Sequence, residues 1–149
     1  MTELAPTPEP ALTPTMPRRF DHEKLTVYQQ SLRFVTWATE LLERVPKNLA
    51  VHNQLDRAST SIPLNLAEGT AKFTAPDRCR FFDTARGSAV ECAACLDVLV
   101  AKGVCAAAAV EPGKEVLVGI VSMLMGLLRA NAPDRRVGRR AGVQVQVQE

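Results

Sequence analysis

Between residues 25 and 127 the apolar side chains recur at spacings of three and four. This limits the fold more than any other feature, because such spacing lines one face of an α-helix and defeats the alternation that a strand needs. Four segments carry the pattern. The first covers residues 22–44, with Leu25, Tyr28, Leu32, Val35, Thr39 and Leu42 on one stripe. The second covers 51–72, with Val51, Leu55, Ala58, Ile62 and Leu66. The third covers 76–102, with Phe81, Ala85, Ser88, Cys92, Leu96 and Leu99. The fourth covers 113–130, with Val116, Ile120, Leu124 and Leu127. Short connections favour antiparallel neighbours, so the expected fold is all-α, an antiparallel up-down four-helix bundle.

The prolines punctuate this pattern. Five of the ten fall in residues 1–19, a segment expected to be disordered, since it can build neither helix nor ladder. Pro46 closes the first helix, Pro76 and Pro112 open the third and fourth, and Pro133 follows the end of the fourth. Thr74 with Asp77 three residues on resembles a capping box, and Gly103 fits a helix stop. The expected organisation is a tail over 1–19, a bundle over 20–131, and a basic tail over 132–149. That last tail ends in Val/Gln alternation without a partner strand, and disorder is the expectation for it too.

Charge is distributed unevenly. Residues 20–131 carry 12 Lys or Arg against 12 Asp or Glu, while Arg135, Arg136, Arg139 and Arg140 face only Asp134 and Glu149 after residue 131. Nucleic acid, if bound, would therefore engage those four arginines, weakly and without sequence preference. No apolar run reaches the roughly 18 residues of a membrane span. The four cysteines, with no secretory pattern before them, point to reduced thiols in a cytoplasm.

Only Pro63 interrupts a helix, within "SIPLNLAEGTAK" over residues 61–72. A kink there would bend the second helix around its neighbours, with Ser59, Thr60 and Ser61 offering hydroxyls to the freed backbone groups. At 100° per residue, Gln54, Ser61, Asn65 and Glu68 form a polar row beside the apolar stripe. The third helix answers with Ser88 and Glu91, and Arg57 and Arg86 lie within reach. Three readings are open: a structural polar network that fixes helix register, a catalytic pair of Glu68 with Glu91, or a network between subunits. The structural network, comprising Gln54, Arg57, Ser61, Asn65, Glu68, Ser88 and Glu91, is the expectation. On that reading Glu68 and Asn65 are buried and their truncation destabilises the fold.

Other chemistry finds little support. Cys92 and Cys95 form a CxxC, but Cys79 and Cys105 are distant and His22 and His52 lack ligand spacing, so structural thiols are expected rather than zinc. There is no Glu-x-x-His pair for a di-iron centre, no phosphate loop and no Ser-His-Asp pattern. No cofactor, metal or small-molecule substrate is evident.

The stretches "LTVYQQSLRFV", "VPKNLAVHNQLDRASTSIPLNLAEG" and "FFDTARGSAVECAACL" resemble the bacterial four-helix bundle proteins named for 23S rRNA intervening sequences, the S23 family. The resemblance covers about residues 20–130. It implies an antiparallel four-helix bundle, a homopentamer, and no catalytic residues. More distantly, the chain is similar to the accessory protein of diversity-generating retroelements, a pentameric bundle that binds reverse transcriptase and nucleic acid. The resulting expectation is a non-enzymatic, cytoplasmic, homo-oligomeric scaffold, with a nucleic-acid-binding accessory factor (RNA, DNA or a reverse transcriptase as partner) as the alternative. Apolar residues off the first helix's main stripe, at Phe34, Ala38, Leu41 and Val45, supply a second face for assembly.

Overall fold

A computed structural model describes residues 19–132. A short 3-10 turn, Asp21–Lys24, leads into four helices: α1 (Thr26–Leu42), α2 (Ala50–Thr70), α3 (Ala75–Ala101) and α4 (Ala107–Ala130). Each helix packs on the next, and α4 returns to α1, so the four form a closed ring around one core. Cross-helix pairs show that neighbours are antiparallel. Ser61 meets Ser88 and Gly69 meets Phe81 across α2 and α3, while Asp97 meets Lys114 and Cys79 meets Asn131 across α3 and α4. This is the four-helix bundle expected from the periodicity. The expectations for the proline-rich start and the Val/Gln tail lie outside the described residues.

The core is mostly aliphatic, with Leu55, Ile62, Leu66, Leu96, Leu99, Leu117, Ile120 and Leu124 fully buried beside the rings of Phe34 and Phe82. Three faces differ from the sequence expectation. In α1 the buried side chains are Val27, Ser31, Phe34, Ala38, Leu41 and Leu42, with Val45 just beyond. The stripe expected to face inward leaves Leu32 43% exposed and Thr39 in solvent. The face assigned to assembly is therefore the core face. Two apolar stripes overlap on this helix, and burying Phe34 with small Ala38 and Ser31 beside it removes more apolar area while letting the helices approach. In α3 the inward ring is Phe82 rather than Phe81, and Ala89 rather than Ser88. In α4 it is Leu117 rather than Val116.

Helix ends follow local chemistry. The Thr74 hydroxyl accepts from the Asp77 N–H at 3.4 Å to start α3. Gly103, at φ 74°, ends it, and the Val104 N–H reaches back to the Leu99 carbonyl at 2.9 Å while the Gly103 N–H bonds the Val100 carbonyl at 2.9 Å. Those two bonds make the left-handed stop that favours glycine. The first helix starts later than expected, because Leu25 is extended (φ −81°, ψ 128°) and separates the 3-10 turn from α1. The fourth starts earlier than expected. Pro112 lies inside α4 instead of opening it, because the alanine run before it is strongly helix-forming. The proline is exposed, as is Ala108, whose carbonyl is the one that Pro112 deprives of a helical donor.

The α1–α4 contact is set by one glycine. A Cβ added at Gly113 would overlap the Trp37 ring. Alanine there would improve helix propensity by roughly 1 kcal/mol, but the overlap forces a bulky ring out of its seat, at about 1–3 kcal/mol. Overpacking wins, so Gly113→Ala is expected to lower the melting temperature. The same variant should shift the emission of Trp37, the only tryptophan in the chain.

Candidate functional site

All seven residues of the expected polar network line two adjoining surface grooves along α2 and its seam with α3. One is bounded by Gln54, Arg57, Ala58, Ser61, Ser88 and Glu91. The other runs along Asp56, Arg57, Thr60, Ser61, Leu64, Asn65 and Glu68. The helical period places them on one strip because Gln54, Ser61, Asn65 and Glu68 fall within a narrow sector of the α2 wheel.

Three members form a connected chain of hydrogen bonds. Asn65 Nδ2 donates to the Ser61 carbonyl and to Ser61 Oγ, both at 2.9 Å. Ser61 Oγ and Ser88 Oγ share a bond of 2.8 Å, which crosses from α2 to α3. All three side chains are half-buried. The other four, Gln54, Arg57, Glu68 and Glu91, are exposed. The expectation of a buried Glu68 anchored to α3 is therefore corrected. Glu68 shares the sector of Ser61 but stands in solvent two turns further along α2, and a carboxylate in water needs no protein donor. Arg86 is also not part of the strip, since its guanidinium pairs with Asp83 on α3 at 2.7 Å.

Backbone chemistry near Pro63 is local as well. The helix runs unbroken through Pro63, whose ring is buried against the core. Ser59 Oγ and Thr60 Oγ1 both donate to the Asp56 carbonyl, at 3.0 and 2.9 Å. They do not serve the Ser59 carbonyl, which is the one that Pro63 frees. Glycine in the same motif has a clearer role. A Cβ at Gly69 would stand 2.9 Å from the Phe81 Cβ and 2.9 Å from a Phe82 ring carbon. Only hydrogen fits where the end of α2 crosses the start of α3. Its spacing from Ile62 and Leu66 puts Gly69 on the apolar face of α2, but that spacing does not supply this reason.

The cysteines are free thiols. Burial pushes the Cys92 thiol up to about 12, with Cys95 and the Glu91 carboxylate adding to the rise. Burial, then Glu91, raises Cys95 as well. Both stay protonated near neutral pH and are neither nucleophiles nor ready metal ligands. Among the described residues no group of three or more His, Cys, Asp or Glu converges as a metal site. No described helix is long and apolar enough to cross a membrane. The end of the bundle where α2 meets α3 has its own tie, which sequence reasoning missed: Arg78 donates to the Lys72 carbonyl at 3.1 Å, the Phe73 carbonyl at 3.0 Å and Asn131 Oδ1 at 2.7 Å.

Four antiparallel helices closed into a ring, with a hydroxyl–amide seam and an exposed polar strip, define an all-α bundle protein. Residues 23–126 match the family model for the 23S rRNA-intervening sequence protein. The chain belongs to this family. Among solved structures it is similar to a protein of unknown function from the S23 ribosomal protein family of Bacteroides thetaiotaomicron VPI-5482, at 21% identity and a TM-score of 0.65, with 69% of this chain and 98% of that chain covered. That likeness shows the shared fold. No curated protein sequence matches the chain.

The geometry separates the strip into structural and solvent-facing members. Asn65→Ala removes the donor that fixes Ser61 and is expected to cost about 1 kcal/mol, the usual net worth of such a bond. Glu68→Ala is expected to stay within about 0.5 kcal/mol of wild type, as exposed substitutions do. Urea denaturation of the two variants checks both, and a larger loss for Glu68→Ala would show that the carboxylate has a protein partner.

Proposed function

We propose that this protein is a non-catalytic, homo-oligomeric scaffold. One observation carries the reading. Residues 116–128 of α4 include no charged side chain, although the helix turns one whole face to solvent, with Val118 70% exposed and Ser122 and Gly126 also exposed. A helix surface without charge over that length is the pattern of a covered face. The Ser61–Asn65–Ser88 chain fits a scaffold, since hydroxyls and an amide without a histidine beside them hold helices together and activate no nucleophile. The resemblance implies five copies. Light scattering on the full chain tests the reading: a mass several times 16.2 kDa is expected, and 16.2 kDa at micromolar concentration refutes it.

A second reading, a nucleic-acid-binding accessory factor, is favoured by one feature of the bundle's end. Phe73 is 96% exposed in the α2–α3 turn. That turn is tied through Arg78 to Asn131, where α4 finishes, and Arg135, Arg136, Arg139 and Arg140 follow Asn131 within nine residues of sequence. Arginines and an aromatic face together suit single strands. Binding should be weak, with a dissociation constant of about 10⁻⁴–10⁻⁶ M, and should fall steeply with salt. Filter binding with the four arginines replaced by glutamine should lose most of that affinity, and full retention would sink this reading.

A further inference from the structure

We infer that residues 6–10 of this chain, "PTPEP", lie back along the groove between α1 and α4 as an extended polyproline segment, with Trp37 as their platform. The inference goes beyond the scaffold reading and is independent of the number of copies. The groove, of about 550 Å³, runs from Thr26 to Trp37 along α1, and Pro112, Val116, Gly119 and Met123 of α4 line its other side. It lies beside the uncharged outer face of α4, not on it. Trp37 is half-buried here. A Cβ at Gly113 would overlap its Cε3, Cζ3 and Cη2 carbons, so that edge of the indole is the one seated on α4. The Nε1 edge is on the opposite side of the ring system and turns away from that contact. Among the described residues, the hydrogen bonds donated by α1 side chains come from Gln29, Ser31, Arg33 and Thr39, and the Trp37 N–H makes none. A half-buried indole donor without a protein acceptor invites a carbonyl into the groove.

A proline-rich segment supplies that carbonyl. In polyproline form the backbone has no internal hydrogen bonds, so every carbonyl is open to a donor, and little ordering entropy remains to be lost on docking. Length agrees as well. Thr26 to Trp37 spans about 16 Å at 1.5 Å per residue, and five residues at 3.1 Å each cover about 16 Å. The chain also starts from the right place. Thr26, the first residue of α1, forms one end of the groove, and the 3-10 turn before it packs on α1 and α2. Residues 11–18 can span about 26 Å when extended, more than the roughly 10 Å needed to cross α1 to its α4 side. The segment then runs antiparallel to α1, with residue 6 towards Trp37 and residue 10 towards Thr26. Charge agrees too. Glu9 falls in the half of the groove where Arg33, exposed and bonded only to Gln30 of its own turn, can reach it. The other charge at the groove, Glu115, stands on the opposite lip in solvent.

Emission of Trp37, the only tryptophan, tests the docking on the full chain. Pro6→Gly, Pro8→Gly and Pro10→Gly together abolish the extended form without touching the bundle, so helix content should stay as in wild type. The emission should move to longer wavelength, and acrylamide should quench it more strongly. Glu9→Arg sets like charges together, and should weaken docking about tenfold with the same two optical changes. Combining Glu9→Arg with Arg33→Glu should return both readings to wild type, which a merely structural role for Arg33 would not produce. Equal quenching in wild type and every variant overturns the inference, because the groove is then open. Protection in wild type that disappears on dilution also overturns it, because another copy then covers the groove. Neither result bears on the mass of the assembly, so the scaffold reading stands or falls separately by light scattering.

Discussion

The seam between α2 and α3 is the constraint on which the rest of the bundle depends. At one end, Gly69 lets α2 come close enough for a Cβ to be excluded by Phe81 and Phe82. Further along, Ser61 and Ser88 bond directly across the two helices at 2.8 Å. Two helices held at that separation present Leu55, Ile62, Leu66, Leu96 and Leu99 as one apolar wall. Helices α1 and α4 close over that wall, meeting each other where Gly113 receives the Trp37 ring. Both close approaches use a glycine for the same reason: an aromatic ring occupies the space that a side chain would need.

The polar strip beside this seam divides the labour within one helical sector. Asn65 holds Ser61, and Ser61 reaches Ser88, so the inner members fix the register of the two helices. Gln54, Arg57, Glu68 and Glu91 stand outside and are free to meet solvent or another molecule. A half-buried hydroxyl pair has a modest desolvation cost, whereas a buried carboxylate would have demanded several donors. The bundle places its carboxylates in water and keeps only neutral groups in the seam. The buried thiols of Cys92 and Cys95 follow the same logic, staying protonated among aliphatic neighbours.

Ionic interactions contribute little to this architecture. Three of the described ion pairs lie within a single helical turn, at Lys24–Asp21, Arg80–Asp77 and Arg86–Asp83, and are largely solvent-exposed. Such pairs are worth about 0–1 kcal/mol. Lys114–Asp97 alone links two helices, and it too sits in solvent. The specificity of the bundle therefore comes from shape, from where glycine and aromatic residues meet, rather than from charge.

The sequence by itself determined that there are four helices, where α2 and α3 begin and end within two residues, and that the chain is an antiparallel bundle. Periodicity, a capping threonine and a positive-φ glycine act over a few residues and are legible along the chain. The placing of Ser61 and Asn65 one turn apart on α2 was legible too, from helical spacing alone, whereas the meeting of Ser61 with Ser88 belongs to the packing of α2 on α3. Only the tertiary structure decided which of two apolar stripes on α1 faces inward, because both satisfy the same period and the choice depends on whether Phe34 or Leu32 fits between α2 and α4. It also decided that Glu68 is in water and that Phe82, not Phe81, fills the core. A shift of one residue turns a side chain by about 100°. Distances between helices, which no single helix encodes, settle on which side of the boundary that turn leaves it.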